Sequence, residues 1–356
     1  MLDFYPLLRP ALPLIDAEQG HRIALWALRN GLLRPETDPD DPVLCASVLG
    51  RMLHNPVGLA AGFDKNAIVI NATQAMGFGF IEIGGVTPRP QTGNPRPRLF
   101  RLSEDEAVIN RMGFNNDGMD VIAARLAGRD RASGMVGVNM ASNSDSDDPA
   151  NDFDLLVAKF TPLADYMTID ISCPNTPNGK VFQSKQPLAG LLERLKATRA
   201  RVADEKKVAP PPMLIKSAPD LTEQEKRDIA EVALAAGIDG MIVSNTTIAR
   251  PASLRSRYRS ERGGLSGRPV FDMSTRLLAE MYRLTEGRLP LIGVGGIANA
   301  ADAYEKIRQG ACAVQLYSAL VFQGPGLVHR LKHELAGLLK RDGFKNVGAA
   351  VGAAHR

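Results

Sequence analysis

The chain has few cysteines, and no two of them are close together. Its 356 residues contain Cys45, Cys173 and Cys312 and no CxxC motif. Iron–sulfur clusters and structural zinc sites take several closely spaced cysteine ligands. The sequence therefore predicts no metal site and no iron–sulfur cluster, and it indicates a reducing compartment.

Long apolar runs and a basic secretory leader are also lacking. No run reaches the roughly 18–20 residues that cross a bilayer, and the first six residues carry no basic charge. The net charge of +4 is too small to indicate a nucleic-acid partner. With 44% hydrophobic and 23% charged residues the composition is that of a globular protein. We expect it in the cytoplasm, either free or on a membrane surface.

Eight short apolar runs recur with helix-like segments between them. Strands that alternate with helices pair in parallel, and runs that are apolar on both faces are buried on both sides. The pattern predicts an α/β fold, a (β/α)8 TIM barrel. A doubly wound open sheet is the alternative, but the GxGxxG turn usual after its first strand is missing. The runs are 56–61, 80–83, 135–140, 166–171, 213–215, 240–243, 291–294 and 313–316.

Polar residues and glycines follow these runs. Because the carboxyl ends of barrel strands share one rim, these residues predict an active site there. Tandem glycines after the seventh run and Tyr317-Ser318 after the eighth are typical of a phosphate site, hence of a phosphorylated substrate or a cofactor such as FMN. Lys65 and Lys216 are either surface charges or partners of an anion or electron-rich ring. The set is Asp64-Lys65, Gly84-Gly85, Asn139, Asp170 to Asn175, Lys216, Ser244-Asn245, Gly295-Gly296 and Tyr317-Ser318.

The segment before the first strand does not follow the barrel pattern. Asp16 is a predicted N-cap, and the helix after it carries Ile23, Leu25 and the single tryptophan, Trp26. Such a helix either covers the bottom of the barrel or places its apolar face in a bilayer surface.

Nine stretches, in order along nearly the whole chain, resemble the dihydroorotate dehydrogenases. They are 58–65, 76–84, 86–91, 97–102, 109–116, 216–221, 263–269, 294–297 and 315–320. The resemblance implies a barrel that holds FMN and oxidises dihydroorotate to orotate in pyrimidine biosynthesis. The N-terminal segment resembles the extension of the quinone-dependent, membrane-associated class (class 2), whose helices form a quinone tunnel.

This resemblance divides the chain and assigns its partners. Residues 1–42 would be the helical extension, 43–345 the FMN-binding barrel and 346–356 a C-terminal tail. The protein would be peripheral on the cytoplasmic side of the cell membrane, with quinone as acceptor. No nucleic acid and no iron–sulfur subunit are expected.

The resemblance also implies the roles of individual residues. Cys173 takes the position of the catalytic base. The implied cofactor contacts are Ala61, Gly62, Lys65, Gly85, Asn139, Asp170, Lys216, Ser244, Gly267, Gly296, Tyr317 and Ser318. The implied substrate contacts are Lys65, Asn110, Arg111, Met112, Gly113, Phe114, Asp170, Asn175, Asn245 and Thr246. His21, Arg101 and Tyr317 fall at positions that line the quinone tunnel.

Several site positions depart from the class. Cys173 stands where class 2 has serine, Asp170 where the family has asparagine, and Gly85 and Ser244 where it has threonine. A carboxylate beside an anionic product is unfavourable by roughly 1–4 kcal/mol. Asp170 is therefore either protonated or paired with a lysine, or the substrate is not dihydroorotate. The alternatives are another dihydropyrimidine substrate, a soluble acceptor, or a flavin-binding protein with a decayed site.

Overall fold

The computed structural model describes residue 5 and residues 14–33, 35–172 and 181–356. Within them the strands are β1 Ala46–Val48, β2 Arg51–Leu53, β3 Val57–Leu59, β4 Phe80–Val86, β5 Leu99–Leu102, β6 Ala107–Asn110, β7 Met135–Met140, β8 Tyr166–Asp170, β9 Met213–Ser217, β10 Gly240–Val243, β11 Gly264–Gly267, β12 Leu291–Val294 and β13 Ala311–Leu316. The helices are α1 Ala17–Arg29, α2 Ile70–Gln74, α3 Met119–Ala127, α4 Pro149–Phe160, α5 Lys185–Lys206, α6 Glu223–Ala236, α7 Phe271–Leu284, α8 Ala300–Arg308, α9 Ser318–Gln323, α10 Leu327–Arg341 and α11 Val347–Ala350.

Eight parallel strands close into a barrel in the order β3, β4, β7, β8, β9, β10, β12, β13. Every residue of β4, β7, β8 and β9 is buried, which is why these segments read as continuous apolar runs. All eight predicted runs form barrel strands, and the prediction of a (β/α)8 barrel is confirmed.

Two smaller antiparallel sheets were not anticipated from the sequence. Strands β1 and β2 form a hairpin at the amino end of the barrel, where Leu49 contacts the start of β10. Strands β5, β6 and β11 form a three-stranded sheet with β6 in the middle. Its strands have four residues each, and β11 (Gly264–Gly267) begins and ends with glycine, so its strand signal is weak.

Helix α1 lies at the carboxyl end of the barrel, where it contacts β5 and α2. As predicted, Asp16 caps it: the Asp16 side chain accepts hydrogen bonds from the backbone N–H groups of Glu18 and Gln19, both at 3.0 Å. The alternative that this helix covers the bottom of the barrel is wrong, because the β1–β2 hairpin occupies the amino end.

No helix in the described part of the chain combines the length and apolarity that crossing a membrane requires.

Candidate active site

A cavity of about 490 Å³ lies between the carboxyl ends of the barrel strands, the β5–β6–β11 sheet and helix α1. All twelve residues implied as cofactor contacts line it: Ala61, Gly62, Lys65, Gly85, Asn139, Asp170, Lys216, Ser244, Gly267, Gly296, Tyr317 and Ser318. The parallel barrel brings them together, since all but Gly267 lie at or just beyond the carboxyl ends of barrel strands, and Gly267 ends β11.

Most of the residues implied as substrate and quinone contacts also line this cavity. They are Asn110, Met112, Gly113, Phe114, Asn245, Thr246, His21 and Arg101. Arg111 does not line it, because its guanidinium is paired with Glu261 at 2.8 Å and lies 4.6 Å from the Phe100 ring centroid. Cys173 and Asn175 lie outside the described residues.

A buried carboxylate, Glu82, lies beneath the centre of the cavity. Its Oε1 accepts a hydrogen bond from Asn139 Nδ2 at 3.1 Å and lies 3.6 Å from Lys216 Nζ. Its Oε2 accepts from Tyr166, Thr168 and Gln315 at 3.1, 3.1 and 3.3 Å. Five side chains from four strands therefore converge on one carboxylate.

Asp170, at the end of β8, has neutral hydrogen-bond partners. Its Oδ1 accepts from Ser172 Oγ at 2.7 Å, and Asn245 Nδ2 lies 3.3 and 3.2 Å from its two oxygens. Lys216 is the neighbour of Asp170 across the β8–β9 pair, but its ammonium pairs with Glu82. Burial raises the pKa of the Asp170 carboxyl, and the Lys216 charge offsets this only in part. The raised pKa favours the neutral acid, and the hydrogen bonds from Ser172 act against it.

Phe114 occupies the space next to Gly85, which stands where the family has threonine. A Cβ at position 85 would lie 2.7 Å from two carbons of the Phe114 ring and 3.2 Å from Asn139 Oδ1. The ring therefore fills the space that a threonine side chain would take, and Gly85 fits this particular packing.

One end of the cavity has the form of a phosphate site. Gly296 has a φ of +77°, and a Cβ there would lie 2.4 Å from Phe271 Cα, so the turn after β12 requires glycine. No side chain caps the N-terminus of α9, and the first N–H groups of a helix have no partner within it. Ser318 Oγ donates to Ser266 Oγ at 2.8 Å beside them. Backbone donors at this end suit an anion.

The part of the cavity under α1 is aromatic. The ring of Phe63 lies edge-on to those of His21 and Tyr317, with centroid distances of 5.4 and 5.5 Å. Burial, assisted by the charge of Lys65, lowers the pKa of His21 to about 4, so its imidazole is neutral at physiological pH. An apolar ring that carries carbonyl oxygens would fit this part better than an ion.

Helix α1 is held over the cavity by a buried ion pair that sequence reasoning missed. The carboxylate of Glu18 accepts hydrogen bonds from Arg98 at 2.9 and 3.1 Å and from Arg96 at 2.9 Å. Glu18 and Arg98 are buried, and these bonds, above all those from Arg98, lower the pKa of Glu18. Because Glu18 is an acid in the first turn of an amphipathic helix, the sequence presents it as an ordinary solvated charge.

Glu82, Gln315 and Phe63 are further site residues that the sequence did not single out. The usable signal was Glu82 itself, a charged residue in a strand whose other members are apolar or glycine. Such a residue is almost never fully buried unless it is paired.

The polar rim, the glycine turn after β12, the start of α9 after β13 and the cavity between them define a (β/α)8-barrel enzyme with its site at the carboxyl end. A model of the family described as dihydroorotate dehydrogenase matches residues 43–339. The chain belongs to this family.

Its relatives cover its full length. Proteins from Rhodospirillum rubrum and Azorhizobium caulinodans, each named dihydroorotate dehydrogenase (quinone), are 52% and 50% identical to it. The alignments span 100% of this chain and 96% of the first protein, and 99% of this chain and of the second. The crystal structure of the Eimeria tenella dihydroorotate dehydrogenase in complex with ferulenol is 40% identical, with a TM-score of 0.94 and 100% of both chains covered.

Proposed function

We propose that this protein oxidises dihydroorotate to orotate with FMN as its cofactor and quinone as its electron acceptor, in pyrimidine biosynthesis. The family and the names of its relatives support the reaction. The observation that carries the proposal is one continuous cavity with an anion-binding polar end at the barrel rim and an aromatic end under α1.

The described residues fit FMN. The backbone donors of the turn at Gly296 and of the α9 N-terminus would hold its phosphate, and Lys216 and Asn139 would face the ring. Gln315 Oε1 is buried without a hydrogen-bond partner in the described part of the chain. An acceptor left unpaired in the cavity costs about 1–3 kcal/mol, so a ligand N–H donor there would be favourable.

When bound, FMN would supply the hydride acceptor for the oxidation of dihydroorotate at C6. Cys173 takes the proton from C5, and its thiol suits this role because thiols titrate near ~8.5, far below alcohols. Lys65, Asn245 and Thr246 orient the substrate, and Lys65 balances its carboxylate. Helix α1 and the β5–β6–β11 sheet cover the cavity and limit the access of water.

Asp170 takes part as a neutral acid. In that form it offers one donor and one acceptor, as the asparagine of the family does. It therefore avoids the repulsion that a carboxylate would exert on orotate. The alternative, a different dihydropyrimidine as substrate, would be favoured if Asp170 proved to be ionised in the ligand complex.

Quinone would enter under α1, beside His21, Arg101 and Tyr317. Leu14, Ile23, Trp26 and Leu32 in and next to this helix are 88%, 53%, 59% and 60% exposed. An amphipathic helix with such a face binds at a membrane interface, where quinones are dissolved. We infer that the protein is peripheral, on the cytoplasmic side of the cell membrane.

The direct test of the proposed function is an anaerobic stopped-flow experiment on the purified protein. We expect dihydroorotate to bleach the flavin band rapidly and a short-chain quinone, but not fumarate, to restore it. A flavin band that stays oxidised would contradict the proposed substrate. Reoxidation by fumarate would contradict the proposed acceptor.

We expect Asp170→Asn to bind orotate with an affinity that depends less on pH than in the wild type. Because its pKa is raised, Asp170 is neutral at low pH and becomes ionised as the pH rises through the raised value, where it repels orotate. The wild-type affinity should fall over that range by at least about tenfold. The measurement is a titration of the oxidised flavin with orotate at a series of pH values.

Protein stability gives an independent readout of the same substitution. With a raised pKa in the folded state, Asp170 contributes stability that is present at low pH and is lost as the pH rises from the unfolded-state pKa to the folded-state pKa. The wild type should therefore lose stability relative to Asp170→Asn as the pH rises. The difference in melting temperature should widen from pH 4 to pH 8. Parallel curves for the two proteins would mean that Asp170 is already ionised at low pH.

A further inference from the structure

Glu82 has no part in the reaction as described above, although it contacts three residues of the cavity floor. It lies in the middle of β4 and is 1% exposed. Three of its partners, Asn139, Lys216 and Gln315, line the cavity. The other two, Tyr166 and Thr168, support it from β8. Glu82 thus lies directly beneath the surface that a bound ligand would contact.

The hydrogen-bond pattern around Glu82 favours an ionised carboxylate. Among the described residues, two side-chain amides and two hydroxyls donate to its two oxygens, and the Lys216 ammonium lies 3.6 Å away. Amide N–H groups and an ammonium cannot accept a hydrogen bond, so a protonated acid could direct its own O–H only at a hydroxyl. The hydroxyl of Tyr166 keeps its proton, because burial and the Glu82 charge raise the pKa of Tyr166 well above its usual range.

The charge of Glu82 limits the positive field in the cavity. Lys216 Nζ lies 3.6 Å from Glu82 Oε1, and both side chains are almost fully shielded from solvent. In such a site a charge is weakly screened. A ligand beside Lys216 is therefore exposed to the combined field of the Lys216 ammonium and the Glu82 carboxylate, and not to that of an isolated ammonium. Without Glu82, Lys216 would stabilise negative charge on that ligand more strongly.

We propose that Glu82 is a positioning residue that fixes Lys216 and Asn139 at the cavity floor and, through its negative charge, lowers the reduction potential of the flavin bound there. The inference depends on the proposed function, because it requires FMN in this cavity. Its consequence is functional: a lower potential makes the reduced flavin a better donor to quinone and its reduction by the substrate less favourable.

Glu82→Gln tests the inference, since it keeps the shape of the side chain and removes the charge. We expect the flavin potential, measured against reference dyes, to become more positive. Sulfite adds to the flavin and leaves a negative charge on the ring, so its binding should tighten by at least about tenfold. Tyr166→Phe is the matched control: it removes one hydrogen bond to Glu82 and no charge, and should leave both quantities within about twofold.

A second pair of variants guards against misfolding of Glu82→Gln, which leaves Lys216 buried without its partner. Adding Glu82→Gln to Lys216→Met should raise the potential relative to Lys216→Met alone, and the double variant retains neither buried charge of this pair. Flavin-containing variants whose potential and sulfite affinity do not move would overturn the inference and leave the proposed function intact. Wild-type protein that binds no flavin would overturn both.

Discussion

Replacing Cys173 with alanine should slow reduction of the flavin by dihydroorotate by a factor of about 10²–10⁴ while FMN stays bound, because the chain loses its general base. Alanine has no group that can accept the C5 proton. Removing the thiol adds no charge to the polar cavity, so flavin binding should change little. The measurement is the rate of anaerobic flavin bleaching at saturating dihydroorotate, together with the flavin content of the purified variant.

The neighbouring residue provides a control for this prediction. Ser172 is buried, donates to Asp170 at 2.7 Å and accepts a hydrogen bond from Asn245 at 3.0 Å. Its hydroxyl is next to Cys173 in the sequence, so it is a second group from which a base could be drawn. Ser172→Ala should disturb Asp170 and Asn245 and weaken substrate binding, but it should retain most of the maximal rate. If Ser172→Ala lost the rate and Cys173→Ala kept it, the assignment of the base would be wrong.

The pH dependence separates a thiol base from a hydroxyl base. In the wild type we expect the rate of flavin reduction to rise with pH to a plateau set by ionisation of the Cys173 thiol, which ordinarily titrates near ~8.5. Cys173→Ser keeps a proton acceptor of similar size, but its rate of flavin reduction should no longer show the rise with pH that the thiol produces. An identical pH profile in both proteins would mean that the rise belongs to another group.

The barrel could be predicted from the sequence because its strands are buried on both faces. Each strand then appears as a short apolar run, and eight such runs with helices between them leave few topologies open. The small β5–β6–β11 sheet could not be predicted in this way. Its pairing joins residues as far apart in the sequence as Asn110 and Gly264. The glycines of β11 allow neighbouring groups to approach its backbone closely, and glycine has a low strand propensity.

The positions of the site residues at the rim could be predicted from the sequence, but the pairing of their charged groups could not. Position after a strand places Lys216 and Asp170 at the rim, but nothing local in the sequence reveals that Glu82 takes the Lys216 ammonium and leaves Asp170 with neutral partners. Electrostatic pairing across a barrel depends on which side chains point inward at the same height. That is a property of strand stagger, which the pattern of apolar residues does not specify.

The N-terminal helix shows the same limit. Its amphipathic pattern predicts one buried face, but it does not identify the surface against which that face packs. At the rim, Glu18 of this helix pairs with Arg98, which lies 80 residues further along the chain. An ion pair of that sequence separation has no local signature.

Glu18→Ala should therefore slow the oxidation of the reduced flavin by quinone and leave the rate of flavin reduction by dihydroorotate unchanged. The substitution leaves Arg98 buried without its carboxylate, and breaking a buried pair in this way costs about 3–5 kcal/mol. The energy is lost where α1 contacts β5, and the barrel core does not depend on that contact. We expect α1 to dock less tightly and the quinone step to slow by at least about tenfold, since α1 supplies His21 and several aliphatic residues that line the cavity beside it.

The two arginines that bind Glu18 form a matched pair for this test. Arg98 is buried and Arg96 is 60% exposed at its side chain, although both lie 2.9 Å from the same oxygen. Arg98→Met should reproduce the effect of Glu18→Ala, whereas Arg96→Met should change stability by at most about 1 kcal/mol, as exposed ion pairs do. The two half-reactions are measured separately by stopped flow, with dihydroorotate and then with a short-chain quinone. If Glu18→Ala slowed both half-reactions equally, the ion pair would support the whole site and not the quinone end, and α1 would have no separate role in electron transfer to quinone.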